Sequence, residues 1–144
     1  MTEDYKGKSI LIIEDEADIR RFAFRVLNLE GYTVLQAENG EEGLRMARGT
    51  RGLSMVLLDL VLPDRDGWVI LEELKRDPVL STVPIVVFSV LVTPWQQNRA
   101  FVMGASGYLT KPVDASGLRQ AIASTIHWER GSEMSCTGSI TTAS

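Results

Sequence analysis

The chain has 144 residues, 44% of them hydrophobic and 24% charged, with a formal net charge of −4. That length suits one domain with a real core, and the composition excludes a disordered chain. No apolar run approaches the roughly 20 residues that span a bilayer, and the N-terminus lacks a signal-peptide layout. No Lys/Arg cluster offers a nucleic-acid surface, so a cytoplasmic protein with no direct nucleic-acid or membrane contact is expected.

Ser9 to Ile13 is a short apolar run and predicts a first strand, ending in Glu14-Asp15-Glu16. From Asp18 the pattern turns helical, with Ile19, Phe22, Ala23, Val26 and Leu27 at three- and four-residue spacings and Gly31 as the stop. Arg20, Arg21 and Arg25 fall on this helix and read as a solvated face. Tyr32 to Ala37 predicts strand two, Asn39-Gly40 a turn, and Glu41 to Arg48 a second helix. Met55-Val56-Leu57-Leu58 has the continuous apolar character of a strand buried on both faces, and Asp59 stands at its end. Asp66-Gly67 opens a third helix with Ile70, Leu71 and Leu74 as its stripe, and Asp77-Pro78 ends it. Ile85 to Phe88 is strand four, ending in Ser89. A less regular helix follows from about Pro94 to Met103. Tyr108-Leu109-Thr110 is strand five, ending in Lys111-Pro112, and a last helix runs from about Ala115 to Arg130. Residues 131–144 are small and polar, as expected of a flexible tail or linker, and they hold the single Cys136.

Five βα units in succession predict a doubly wound α/β fold with a parallel sheet and helices on both faces. What terminates each strand then matters, because ligands gather outside the carboxyl ends of such sheets. Strands one, three, four and five end in Glu14-Asp15, Asp59, Ser89 and Lys111, whereas strand two ends in nothing comparable. The order 2-1-3-4-5 puts strand two at an edge and the four reactive ends together. Three carboxylates at close quarters repel, so either some hold protons or a cation sits among them, and oxygen ligands without His or Cys favour Mg²⁺ or Mn²⁺. Such a pocket suits a phosphoryl group: Lys111 supplies a positive charge, Ser89 a hydrogen bond, and Asp59 a carboxylate nucleophile.

These residues resemble the receiver domain of two-component response regulators. Glu14-Asp15 matches the acidic pair after strand one. Asp59-Leu60-Val61-Leu62-Pro63-Asp64-Arg65-Asp66-Gly67 is close to the family's D-x-x-x-P-x-x-D-G. Ser89 matches the hydroxyl that ends strand four, and Gly104-Ala105-Ser106-Gly107-Tyr108-Leu109-Thr110-Lys111-Pro112 resembles the run into the Lys-Pro pair. The likeness covers residues 8–130 and implies the flavodoxin-like form of the sheet. It also implies that Mg²⁺ is held by Glu14, Asp15, Asp59 and the backbone carbonyl of Val61, and that Asp59 is phosphorylated by a sensor histidine kinase or phosphotransfer protein. By the same likeness Ser89 and Lys111 stabilise the phosphoryl group, Ser89 and Tyr108 form the switch, and the Lys111-Pro112 peptide is cis. A downstream target, or a second copy in a homodimer, would read the surface of helix four, strand five and helix five.

Two departures from the family pattern stand out. Val90 follows the switch serine where Ala is common, which would narrow access to the phosphoryl group or limit how far Ser89 moves. Val61 and Leu91, at positions that tune dephosphorylation in the family, are apolar and cannot orient an attacking water, so a long-lived phosphoryl state is expected.

Singly, each acid reads as a capping residue and Lys111 as a surface cation; jointly at one edge they do not. Asp64-x-Asp66-Gly67 fails as a calcium loop, since Lys75 stands where the twelfth-position Glu belongs. Glu14-Asp15-Glu16 replaces the glycines of a nucleotide or flavin cradle. A metal-dependent phosphohydrolase would need a further acid near Asp59 and a substrate cap. A degenerate receiver used only for protein contact is the other alternative, with Val90 its best support. The expectation is a signalling switch, not an enzyme on a separate substrate, with at most self-phosphorylation and autodephosphorylation. His127 reads as a surface residue, and Trp68, Trp95 and Trp128 as core or rim packing on helices.

Overall fold

The computed structural model describes residues 7–131, without the side chains of residues 127–131. The element order is β1 (Ser9–Ile13), α1 (Ala17–Leu29), β2 (Thr33–Ala37), α2 (Gly40–Gly49), β3 (Leu53–Leu58), α3 (Gly67–Arg76), β4 (Ile85–Ser89), α4 (Pro94–Val102), β5 (Gly107–Thr110) and α5 (Ala115–Gly131). The strands form one parallel sheet in the order β2-β1-β3-β4-β5, as their terminal residues predict. The expected tail from residue 132 on, with Cys136, lies outside the described residues, as do the side chains of His127 and Trp128.

Strand periodicity builds two cores. Ile10, Ile12, Met55, Leu57, Val86, Phe88 and Leu109 face one way, against Ala23, Val26 and Leu27 of α1 and Leu118, Ile122 and Ile126 of α5. Their neighbours Leu11, Ile13, Val56, Leu58, Ile85, Val87 and Tyr108 face the other, against Leu44 of α2, Ile70, Leu71 and Leu74 of α3 and Ala100 of α4. Because the sheet is covered on both sides, β1, β3 and β4 are apolar apart from Ser9, Ser54 and Ser89 and show no alternation, while the edge strand β2 is only partly buried.

Local chemistry fixes the helix starts. Asn39 accepts from the Glu42 N–H at 2.8 Å, Asp66 from the Trp68 N–H at 2.9 Å, and Thr93 with Gln96 makes a capping box before Pro94. Two of the boundaries that differ from the sequence expectation have a visible cause. Strand β3 starts at Leu53, ahead of Met55, because the Ser54 hydroxyl oxygen accepts from the Ser9 N–H at 3.0 Å and draws that segment onto β1. Tyr32 precedes β2 and is instead a buried member of the α1–α5 core.

Register sets the site. Ile13 is level with Leu58 and Ala37, and the ladder runs one step past the strands: Asp59 N–H to Ile13 O and Glu14 N–H to Ala37 O, both 3.1 Å. On the far side Lys111 N–H reaches Ser89 O at 2.9 Å. The backbone thus delivers Glu14, Asp59, Ser89 and Lys111 to one edge. Gly67, at the head of α3, packs on the backbone of Leu60, and its N–H donates to Leu60 O at 3.1 Å. A Cβ there would overlap Leu60 main-chain atoms, which cannot swing aside as a flexible side chain would. Gly67→Ala is expected to destabilise the fold by about 1–3 kcal/mol, read as a Tm lower by roughly 5 °C in a thermal melt.

Candidate functional site

Asp59 ends the central strand and is only 4% exposed. Its Oδ1 accepts from the Val61 N–H at 3.0 Å, and its Oδ2 takes Lys111 Nζ at 3.0 Å. The same ammonium lies 2.7 Å from Glu14 Oε1, so one Lys bridges the ends of β1 and β3 from the end of β5. Phe88 puts its ring 5.2 Å from that ammonium and shields it on one side. Glu14 Oε2 accepts from the Glu16 N–H at 3.1 Å. Burial, with repulsion from Asp59 added, pushes the Glu14 carboxyl above its usual range although Lys111 and the Glu16 N–H pull the other way. Burial works to lower the Lys111 value, but hydrogen bonding and attraction from Glu14 and Asp59 outweigh it and hold the ammonium above its ordinary range.

Glu14, Asp15 and Asp59 each offer a carboxylate oxygen within 4.8 Å of the others. Glu14 Oε1 is buried, with the Lys111 ammonium at 2.7 Å as its one partner among the described residues. An oxygen in that state, in a cluster with neither His nor Cys, fits a hard divalent cation such as Mg²⁺ or Mn²⁺. Asp15 is exposed, so the site opens to solvent on that side.

Ser89 is fully buried, and its Oγ accepts from the Leu91 N–H at 3.3 Å. Tyr108 is buried as well, and its hydroxyl donates to Leu91 O at 2.6 Å. Burial, with Asp59's charge second, raises the Tyr108 phenol to about 12. The two side chains therefore meet on the backbone of one residue, Leu91, one on its N–H and the other on its carbonyl, rather than on each other. Val61 is bridged to Asp66 in antiparallel fashion, with its side chain half exposed at the mouth of the site, and Val90 is exposed beside it. The Lys111-Pro112 peptide is cis.

Three contributors were hidden in the sequence. Arg20, read there as part of a solvated face, donates from Nη1 to Glu14 O at 2.9 Å and Asp15 O at 3.3 Å, and so fastens the acidic turn. Leu91 acts through its backbone. Asp64 accepts from the Gly40 and Glu41 N–H groups of α2 at 2.8 and 2.9 Å. The backbone partners of Arg20 and Leu91, and the span from Asp64 to Gly40, leave no mark in residue types. Trp68 and Trp95 flank Arg99, with its guanidinium carbon 4.1 and 5.8 Å from their rings, which joins α3 to α4 at the surface.

A sequence model of the family described as response regulator receiver domain matches residues 10–123. Among relatives, a probable transcriptional regulator ycf27 of Pyropia yezoensis is 36% identical over 124 residues, 86% of this chain and 49% of that protein. The KDP operon transcriptional regulatory protein KdpE of Escherichia coli (strain K12) is 38% identical over 104 residues, 72% of this chain and 44% of that protein. The chain spans about half the length of the relatives it matches. A CheY-like response regulator receiver domain protein from Methanospirillum hungatei JF-1 superposes with a TM-score of 0.79 at 25% identity, covering 85% of this chain and 96% of that one. A receiver domain protein from Clostridium thermocellum gives 0.77 at 29% identity, covering 85% and 97%. With its sheet order, its clustered strand ends and these relatives, the chain belongs to the receiver domains of two-component response regulators.

Proposed function

We propose that the domain takes a phosphoryl group from a phosphohistidine of a sensor kinase or phosphotransfer protein onto Asp59, and thereby changes the surface it offers a downstream protein. The observation that carries this reading is the setting of the Asp59 carboxylate: buried at a central strand end, oriented by the Val61 N–H, and paired with Lys111 beside two further acids. In the transfer a carboxylate oxygen of Asp59 bonds to phosphorus, the phosphorus–nitrogen bond breaks, and the departing imidazole takes up a proton. Lys111 is placed to pair with the charge on the phosphoryl oxygens. Glu14, Asp15 and Asp59, with the Val61 carbonyl, would hold Mg²⁺, which when bound neutralises those oxygens.

The switch is supported by the backbone of Leu91, which both side chains engage. A phosphoryl oxygen competing for Ser89 would free the Leu91 N–H, while Tyr108 keeps the carbonyl, so the β4–α4 segment shifts against a fixed aromatic. The surface that follows is α4, β5 and α5, where Trp95 is 66% and Val102 78% exposed. Among the described residues no helix is long and apolar enough to cross a membrane, which accords with a cytoplasmic setting. The relatives are named transcriptional regulators. Within this chain, Arg21, Arg45, Arg48, Arg65, Arg76 and Arg119 already pair with carboxylates, so our reading gives the domain a protein contact and not a direct hold on nucleic acid. The reading takes residues 8–130 as the receiver unit.

Incubation with acetyl phosphate and Mg²⁺ should modify wild type by one phosphoryl group, seen by intact-mass measurement. Asp59→Asn should stay unmodified, and an unmodified wild type would sink the proposal. Val61 and Leu91 present no polar side chain to the attacking water, so the phosphoryl state should outlast that of Val61→Asn or Leu91→Glu in a decay assay with Mg²⁺ present; decay no faster in either variant would count against this. Tyr108 gives a pH test. Its folded value, about 12, lies above its ordinary 10.0 because burial and the Asp59 charge both disfavour the tyrosinate, so the stability that comes from burying the neutral phenol is whole below pH 10 and lost as pH rises through about 12. The stability gap between wild type and Tyr108→Phe should hold at neutral pH and close across that window, and the variant should lack the tyrosinate absorbance that develops near pH 12.

A further inference from the structure

The loop that follows Asp59 is closed at its root and tied at its tip. At the root Val61 bridges Asp66, and the Gly67 N–H meets Leu60 O at 3.1 Å. Such a loop still tilts as one flap unless its far end is held. The tip is Asp64, which reaches 24 positions back in the chain to α2. Its Oδ1 accepts from the Gly40 N–H at 2.8 Å and its Oδ2 from the Glu41 N–H at 2.9 Å. These are first-turn donors that a helix cannot satisfy internally. Asn39 serves the next one, at Glu42. Gly40 is what lets the tip come so close: a Cβ there would lie 3.0 Å from Ile70 Cδ1 and 3.3 Å from Arg65 Cβ. Slight desolvation works to raise the Asp64 carboxyl, and the two N–H groups more than reverse it, so the anchor stays charged well below neutral pH.

We infer that Asp64 is a positioning residue for phosphoryl acceptance. By tying the loop tip to α2 it fixes Val61, and Val61's N–H sets the rotation of the Asp59 carboxylate that leaves Oδ2 facing Lys111. The inference rests on the reading of Asp59 as the acceptor. It gives the loop acid of this chain a task in the chemistry, separate from its worth as a helix cap. A cap alone would stabilise α2 whichever segment supplied it. Here the cap comes from the acceptor loop itself, so its loss loosens two things at once.

The test uses the full chain as wild type, Asp64→Ala, Asp64→Asn and Asn39→Ala. Asn39→Ala removes the other α2 cap and leaves the loop untouched, which makes it the control for stability. Three readouts are taken: Tm, the Mg²⁺ dissociation constant by calorimetry, and the dependence of the phosphorylation rate on acetyl phosphate at saturating Mg²⁺. For Asp64→Ala the inference expects Mg²⁺ affinity and the maximal rate to fall by about tenfold, as for other residues that orient a metal ligand. The acetyl phosphate concentration at half-maximal rate should stay unchanged. Asp64→Asn, whose amide oxygen still accepts one N–H, should recover part of both. Asn39→Ala should lose Tm to a similar extent while keeping wild-type rate and Mg²⁺ affinity. Asp64→Ala that loses Tm but stays within about twofold of wild type in rate and Mg²⁺ affinity overturns the inference and leaves the acceptor reading standing. A wild type that takes up no phosphoryl group overturns both.

Discussion

Lys111 Nζ lies 2.7 Å from Glu14 Oε1 and 3.0 Å from Asp59 Oδ2, and the rest of the site is arranged around that ammonium. Two carboxylates almost wholly out of solvent carry a large desolvation cost, which is offset only when a positive charge stands between them. The lysine comes from β5 and the acids from β1 and β3, so the ion pair reaches over the end of β4 and couples strands that are not neighbours. The compensation is incomplete. Glu14 remains pushed toward its protonated form, and its buried Oε1 has the Lys111 ammonium as its one partner among the described residues. An under-compensated acidic pocket is what a hard cation and a phosphoryl group, opposite in charge to one another, fill together.

The same arithmetic explains the residues just outside the pocket. Arg20 holds the carbonyls of Glu14 and Asp15, which keeps the acidic turn from relaxing outward under its own repulsion. Its charge is spent on backbone oxygens and not on the carboxylates, so it steadies the turn without pairing with the acids. Phe88 covers the lysine on the side toward α1 and α5, where Ile19, Phe22, Val90 and Val113 line a shallow apolar hollow of about 300 Å³.

Much of this was legible in the sequence because parallel sheets impose a simple rule: whatever ends the strands shares an edge. Asp59, Ser89 and Lys111 each follow an apolar run, and the order 2-1-3-4-5 is what makes them neighbours. Helix periodicity likewise exposed the α1 and α3 stripes. What stayed hidden are contacts whose partner is a peptide group. Arg20 looks like its neighbour Arg21 in any pattern of residue types, yet one grips the backbone and the other meets Asp18 in solvent. The early start of β3 was obscured by Ser54, a polar residue in a strand, whose hydroxyl serves the β1 backbone. Asp64 was visible as an acid in a turn, but the helix end it caps is remote in the chain, and local spacing carries no information about such a pairing.

The two walls of the site are not built alike, and that asymmetry decides where a change at Asp59 is felt. On the α2–α3 side Gly67 is pressed on Leu60, Asp64 is hydrogen-bonded to α2, and Arg65 pairs with both Glu41 and Glu73. On the α4 side the helix buries Ala100 and leaves Trp95 and Val102 to solvent, and the loop leading to it is held through Leu91 by one hydrogen bond from Tyr108 and one to Ser89. Elements with few buried apolar contacts open at lower free energy than those locked into a core. A charge added at Asp59 would meet its weakest resistance at Ser89 and the Leu91 backbone, on the α4 side, rather than in the anchored loop. The stacking of Arg99 on Trp68 then sets a limit, because α4 leaves α3 only by giving up a cation–π contact worth about 1 kcal/mol at an exposed site. That is a bias of roughly fivefold toward the packed arrangement, not a lock.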